Sequence, residues 1–204
     1  LGQIRMVQAN YSQYSSRYDK YLEGTVLPAF DPQLSGGALY DINIYNLNLI
    51  IGLFGAPNNL IYQARKGFNG IDTSGVVLMS YPEFQALAIG AKDSDSPSTC
   101  LIQGEKGWLK VETAPNQLEK IACQIRGEDN IQEYALNQYP HRLSHEFAAF
   151  AAMLANKDFA GRDLYLNISL QVAEAAEKSR KQADISFLAD QYLRSVPGGA
   201  KCPE

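Results

Sequence analysis

A chain of 204 residues, 46% apolar and 20% charged, has the size and composition of one globular domain with room for a short tail. Its formal net charge of −4 argues against nucleic acid or an anionic membrane as partner, because both favour a basic face. No run reaches the ~18–20 apolar residues of a membrane span, and the first residues lack the apolar core of a secretory signal.

The three cysteines are far apart and form no CxxC pair. We interpret Cys100, Cys123 and Cys202 as free thiols, which are typical of a reducing compartment. The expected location is therefore cytoplasmic.

The chain begins with a predicted strand, Gln3–Tyr11, which is rich in β-branched and aromatic residues. The stretch Tyr11–Leu34 shows no clear periodicity and contains several tyrosines and Arg17. A stretch of this length inside a compact domain is usually a functional loop or lid, or else disordered. Tyr and Arg side chains can bind a polyol, and this makes Arg17 a candidate substrate contact. A loop packed on its own aromatic side chains fits at least as well.

The stretch Ser35–Pro57 is predicted to form one long helix around which the domain is organised. Ser35 can cap its start, and a Gly followed two residues later by a Pro gives a stop. Asp41, Tyr45 and Asn48 are spaced by four and three residues, so they share one helical face. The other faces are apolar, which predicts burial. The three polar side chains then need hydrogen-bonding partners, which they find either in one another as a structural pair or in a cleft.

A series of short strands is predicted after this helix. Turn residues separate the segments, and short connections predict antiparallel neighbours. One face of the sheet is expected to pack on the central helix, and the other to meet water or a second subunit. Trp108 would lie in the core or serve as an interface anchor. The predicted strands are Asn59–Phe68, Gly75–Tyr81, Gln85–Ala91, Ser98–Gln103, Gly107–Glu112, Lys120–Arg126 and Ile131–Leu136.

Two further helices are predicted near the end of the chain. Apolar residues recur at helical spacing in His141–Asn156 and in Arg162–Gln182, and each helix is expected to bury that face. The tail, residues 190–204, has little to bury. The predicted fold class is α+β, with an open, predominantly antiparallel sheet and helices on one face.

The run GGALYDINIYNLNLI resembles the motif that opens the second domain in the glucose–fructose oxidoreductase and inositol dehydrogenase (Gfo/Idh/MocA) family of NAD(P)-dependent oxidoreductases. Gly36, Gly37, Asp41 and Tyr45 occupy the motif positions, and Tyr at the last position, which holds His or Tyr, resembles the Tyr-type branch of the family. Asn43 departs from the pattern, which commonly has Gly there. A weaker resemblance covers the hairpin around Trp108, and the whole likeness extends over about residues 2–189.

This resemblance implies a substrate-binding and dimerisation domain over residues 1–189, with a fold like the C-terminal domain of glyceraldehyde-3-phosphate dehydrogenase. A nucleotide-binding domain would precede it in the parent protein. In this chain no GxGxxG follows a predicted strand and opens a helix. NAD or NADP would therefore be bound mainly by the absent domain, and the chain alone is expected to be inactive. The open sheet face is implied to join a homodimer or homotetramer.

The resemblance also implies the chemistry, which is hydride transfer at the CH–OH group of a sugar, polyol or cyclic diol. Tyr45 would be the acid/base group, and Asp41 would accept from a substrate hydroxyl or orient a lysine of the missing domain. Asn48 and His141 are expected near the substrate. Such chemistry needs a cation beside the phenol, because an unperturbed phenol titrates near ~10.

Other features of the sequence bear on other functions. His141 and His145 are four residues apart, but Ala149 breaks an HExxH motif, so no metal is predicted. The alternatives are a non-catalytic protein that senses a sugar or a cofactor, and a domain that serves only in assembly.

Overall fold

An open sheet is the framework of the computed structural model, which describes residues 1–135 and 137–191. Within these residues the sheet has eight strands, and helices pack on one of its faces, so the predicted α+β class is confirmed. The strands are β1 (Ile4–Ser12), β2 (Asn59–Lys66), β3 (Asp72–Ser80), β4 (Gln85–Ala91), β5 (Thr99–Gly104), β6 (Gly107–Val111), β7 (Ile121–Ile125) and β8 (Gln132–Tyr134).

The helices are α1 (Tyr18–Leu22), α2 (Ile44–Phe54), α3 (Ser144–Asn156) and α4 (Phe159–Gln182), and a π-helical turn, Leu39–Asn43, leads directly into α2. No helix of the described part combines the length and the apolar character that a membrane crossing requires.

The spatial order of the strands is β2-β3-β4-β1-β5-β6-β7-β8. Strands β1 and β4 pair in parallel, with Val7 opposite Ala86, and the other described pairs are antiparallel. The parallel pair is possible because the chain crosses over the inner face of the sheet between β1 and β4, through the central helix. This crossover places the start of the central helix beside the end of β4.

The core lies between the inner face of the sheet and the helices. Alternate residues of β1, β3, β4 and β5 point inward. Helix α2 packs on β1 and β4, and the second half of α4 packs on α2 from the other side. Burial of this apolar surface is the main favourable term in folding. The core includes Val7, Ala9, Leu47, Ile50, Ile51, Val77, Met79, Ala86, Ala88, Ile102, Val172 and Ala176.

The start of the central helix differs from the prediction. Ser35 does not cap it, because Ser35 adopts a left-handed conformation with φ 56° and closes a 3₁₀ turn. A buried carboxylate from the sheet takes this role: Asp72 accepts hydrogen bonds from the Leu39 N–H at 2.6 Å and from the Tyr62 hydroxyl at 2.7 Å. Gly37 has φ 103°, and a Cβ there would overlap the Asp72 carboxylate. The predicted stop at Gly55, with φ 77°, is confirmed.

The predicted irregular stretch between β1 and the central helix contains α1 and two 3₁₀ turns, Pro28–Phe30 and Pro32–Leu34. Tyr21 and Phe30 are buried and stack with their ring centroids 4.8 Å apart, and the Tyr21 hydroxyl donates to Asn69 at 2.6 Å. The stretch therefore packs on its own aromatic side chains. Arg17, by contrast, is exposed.

The last two helices form, but the predicted burial of α3 is wrong. It begins at Ser144, three residues later than predicted, and its apolar face is exposed, with Phe147 at 68% and Leu154 at 81%. The first half of α4 is exposed as well, at Leu164 for example. Periodicity gives the apolar face of a helix, but it does not show what covers that face. Leu136 at the end of the predicted last strand, and residues 192–204 of the predicted tail, lie outside the described residues.

Candidate active site

A cleft of about 320 Å³ lies where the segment after β1 meets the start of the central helix and the end of β4. Its lining includes Tyr11, Arg17, Asp41, Tyr45, Lys92 and Arg142. The sequence predicted three of these six as site residues, namely Arg17, Asp41 and Tyr45, and the fold brings them together. Helical spacing explains the pair Asp41 and Tyr45, since residues four apart in a helix are neighbours on its surface.

Lys92 is the group that the sequence did not reveal. It follows β4 directly and is only 3% exposed, and its ammonium forms an ion pair with the Asp41 carboxylate. It also donates to the Ala29 carbonyl at 3.3 Å and lies 4.9 Å from the centroid of the Phe30 ring. The Asp41 side chain is 53% exposed. The pair therefore has a buried cation and a carboxylate that reaches the cleft.

Burial, together with the positive charge of Arg17, lowers the pKa of Lys92 to about 8. The Asp41 carboxylate acts in the opposite direction, because an adjacent anion favours the ammonium form. Both considerations leave Lys92 predominantly charged at neutral pH. The cleft therefore contains a cation supplied by this chain, in addition to any that another domain brings.

Tyr45 is 39% exposed, so its ring is open to the cleft. The ring lies against that of Tyr11, with the centroids 5.8 Å apart and the planes tilted by 59°. This contact from β1 restricts the rotation of the Tyr45 side chain. A phenol, a carboxylate and an ammonium thus line one small cleft, a set of groups that can bind hydroxyls and transfer a proton.

Two buried asparagines fix the helix on the sheet beneath the cleft. Asn43 donates to the Ala88 carbonyl at 3.0 Å, and Asn46 donates to the Asn43 side chain and to the Ile89 carbonyl, both at 2.8 Å. Gly90 gives the helix room, since a Cβ there would lie 2.5 Å from Asn43 Cβ. The departure from the family motif at Asn43 therefore has a structural role. It aligns the helix with β4, the strand that Lys92 directly follows.

The other predicted site residues lie elsewhere. Asn48 is exposed and donates to the Ile44 carbonyl of its own helix at 2.8 Å. His141 is exposed and accepts from the Leu143 N–H at 3.3 Å, and its neighbour Arg142 lines the cleft instead. No local pattern marked Arg142 or Lys92, because each reaches the cleft from a segment remote in sequence.

The described part of the chain holds no group of three His, Cys, Asp or Glu side chains that could bind a metal. A helix N-terminus is the usual site for a dinucleotide pyrophosphate, but Asp72 already accepts from the first turn of the central helix. Cys100 is buried, which raises the pKa of its thiol to about 11, and it is a free thiol, as is Cys123. Cys202 lies outside the described residues.

The sequence is similar to two curated bacterial proteins. It is 33% identical over 191 residues to the scyllo-inositol 2-dehydrogenase (NADP(+)) IolU of Bacillus subtilis, covering 94% of this chain and 58% of that protein. It is also 33% identical over 192 residues to the uncharacterized oxidoreductase YgjR of Escherichia coli, covering 93% and 57%. The chain thus spans less than three fifths of the length of either relative.

Solved structures show the same fold at low identity. KijD10, a 3-ketoreductase from Actinomadura kijaniata solved with NADP and TDP-benzene, matches 89% of this chain and 55% of its own, with a TM-score of 0.68 at 18% identity. An inositol dehydrogenase homolog from Azotobacter vinelandii, solved with NAD⁺, matches 90% and 57%, with a TM-score of 0.67 at 17% identity. The family model of the GFO/IDH/MocA C-terminal domain matches residues 1–110, more than half of the chain. The chain therefore belongs to the GFO/IDH/MocA family and carries its C-terminal domain.

Proposed function

We propose that this chain is the substrate-binding domain of an NAD(P)-dependent oxidoreductase that acts on the CH–OH group of a sugar, polyol or cyclic diol. The proposal rests on one observation: Tyr45 and the Asp41–Lys92 ion pair line the same cleft. The family and the names of its relatives support the class of reaction. The remaining part of a longer protein would hold most of the cofactor.

NAD or NADP, when bound, supplies the hydride acceptor or donor of this reaction. Relatives have been solved with each of the two, so the choice between them stays open. The buried Asp72 at the start of the central helix supports this division of labour, because it already accepts from the Leu39 N–H of the first helical turn.

In this mechanism Tyr45 moves the proton of the reacting hydroxyl. A cation near a phenol favours the phenolate and makes it a better base at neutral pH. Lys92 lines the same cleft and can act in this way. Asp41 would accept a hydrogen bond from a substrate hydroxyl through its exposed side, while Lys92 holds the carboxylate in place.

Among the predicted substrate contacts, Arg17 lines the cleft, and this supports its proposed role. Asn48 is bonded to its own helix. We propose that it supports the helix that carries Tyr45. His141 precedes Arg142, and we propose that it supports the segment through which Arg142 reaches the cleft.

Replacing Tyr45 by Phe tests the assignment. In the intact protein, Tyr45→Phe is expected to lower kcat by about 10²–10⁴ without unfolding the protein, because only the proton-transferring hydroxyl is lost. NAD(P)H absorbance against aldoses, inositols and cyclic diols measures turnover. Tyr165→Phe, at an exposed position on α4, is the matched control and should leave kcat unchanged.

Two results would count against the proposal. An unchanged kcat in Tyr45→Phe would remove Tyr45 from the chemistry. Dinucleotide binding without turnover on any of the substrates would favour the alternative, a protein of the same fold that senses a sugar or a cofactor.

We also propose that the outer face of the sheet joins two copies of the protein. Ile61, Leu78 and Leu87 lie opposite one another on β2, β3 and β4 and point away from the core, with Ile61 at 50% exposure. Trp108 lies on the same face, because its neighbour Leu109 packs inward. An apolar stripe of this kind is typical of a covered surface.

A further inference from the structure

Two arginines give the cleft an excess of positive charge. Arg17 comes from the segment after β1, and Arg142 from the segment before α3, and both line the cleft beside Tyr45. Lys92 is matched by Asp41, which is the one carboxylate among the described lining residues. Neither arginine makes an ion pair with a described residue. The local charge is thus opposite in sign to the net charge of −4 of the whole chain.

A neutral sugar or polyol gives no reason for this charge. Hydroxyl groups are bound by single hydrogen bonds, whereas the guanidinium fork matches the two oxygens of a carboxylate or phosphate. The volume of about 320 Å³ is at the lower end of the range of ligand pockets, about 300–1,000 Å³, and therefore suits a single sugar ring with one charged group.

Arg17 and Lys92 repel each other in the cleft. The charge of Arg17 contributes to the lowered pKa of Lys92, so the ammonium and the guanidinium are close enough to interact. A bound anion would relieve this repulsion.

We propose that Arg17 and Arg142 form a subsite for an oxyanion. If the proposed function holds, the substrate is then a sugar or polyol that carries a carboxylate or phosphate group. The oxidised or reduced carbon would lie at Tyr45, and the charged group at the two arginines. Positive potential in the cleft would also attract such a substrate from solution.

Direct binding to the intact protein tests the subsite without turnover. Calorimetric titration with glucuronate, glucose 6-phosphate, inorganic phosphate and glucose compares the two oxyanions with a neutral sugar. We expect the anionic sugars to bind at least about 10-fold more tightly than glucose, and Arg17→Gln or Arg142→Gln to weaken them by about 10–100-fold. Added salt should reduce the preference. Arg126→Gln, at an exposed position after β7, is the control.

Turnover provides the second readout. With an anionic substrate, the two variants should raise KM by about 10–100-fold and change kcat little, since the lost contact is made in both the ground state and the transition state. A neutral analogue should be unaffected. The relative response to glucuronate and to glucose 6-phosphate tells which oxyanion the site prefers.

Three outcomes would overturn the inference. Glucose could bind as tightly as the anionic sugars, or the arginine variants could weaken the binding of glucose and of the anionic sugars equally. A KM raised for NAD(P) alone would assign the arginines to the cofactor. Binding of anionic sugars that is lost in the variants, without turnover on any sugar, would support the subsite and refute the oxidoreductase.

Discussion

The Asp41–Lys92 ion pair predicts that its two partners respond very differently to mutation. Lys92→Met removes a buried ammonium and leaves behind a carboxylate whose side chain is 53% exposed and can be rehydrated. Asp41→Asn leaves the ammonium buried without its counter-charge. Removing one member of a buried pair is costly when the remaining charge stays in the interior.

The structure sets the magnitude. Lowering the pKa of Lys92 from 10.5 to about 8 corresponds to about 3 kcal/mol of cost for the charged form, since one pKa unit is about 1.36 kcal/mol. Methionine has a similar length without that cost, so Lys92→Met should leave the free energy of unfolding unchanged or raise it by about 1–2 kcal/mol. Asp41→Asn should lower it by about 1–3 kcal/mol, less than for a fully buried partner.

Urea unfolding at pH 7, followed by circular dichroism, measures both variants and the double variant. The double variant should resemble Lys92→Met, because the asparagine no longer faces a buried charge. Lys110→Met, which removes an exposed lysine paired with Glu112, should change stability by less than about 0.5 kcal/mol. Equal destabilisation by Lys92→Met and Asp41→Asn would refute the reasoning.

The pH dependence gives an independent check of the same charge. The pKa of Lys92 is lower in the folded than in the unfolded protein, so between pH 8 and about 10.4 the unfolded chain binds more protons. The contribution of Lys92 to the free energy of unfolding therefore increases as pH rises through that window. It is lost as pH falls to about 8. The difference between wild type and Lys92→Met isolates the contribution of Lys92 from that of every other titratable group.

Two further predictions concern the frame of the site. Asp72→Ala should lower the free energy of unfolding by about 2–4 kcal/mol, because the Leu39 N–H and the Tyr62 hydroxyl both lose a buried acceptor. Urea unfolding measures this change. A loss below about 1 kcal/mol would contradict the role of Asp72. Leu78→Asp should dissociate the proposed dimer in sedimentation experiments without changing the fold, since Leu78 lies on the outer face; an unchanged mass would exclude this face as the interface.

Local pattern was sufficient for most of the elements. Alternation and turn residues place the strands within a few residues of their observed bounds, and helical spacing puts Asp41 and Tyr45 in one cleft. Local patterns did not predict the residue that caps the central helix. Its cap, Asp72, lies 33 residues after Leu39 in the sequence, whereas the rule for capping considers only residues close before the helix, such as Ser35.

Lys92 in the cleft was not predicted for the same reason, because its position depends on contacts that are remote in sequence. Lys92 follows an apolar strand, where a lysine ordinarily marks the return to solvent, and the sequence offers no reason to bury it. Burial follows from the parallel pairing of β1 with β4, which brings the end of β4 under the first turns of the central helix and next to Asp41. The chemistry of the cleft thus depends on tertiary contacts between segments some fifty residues apart. The proposed acid/base pair could be inferred from one helix, but the cations proposed to act on it and to bind the ligand required the fold.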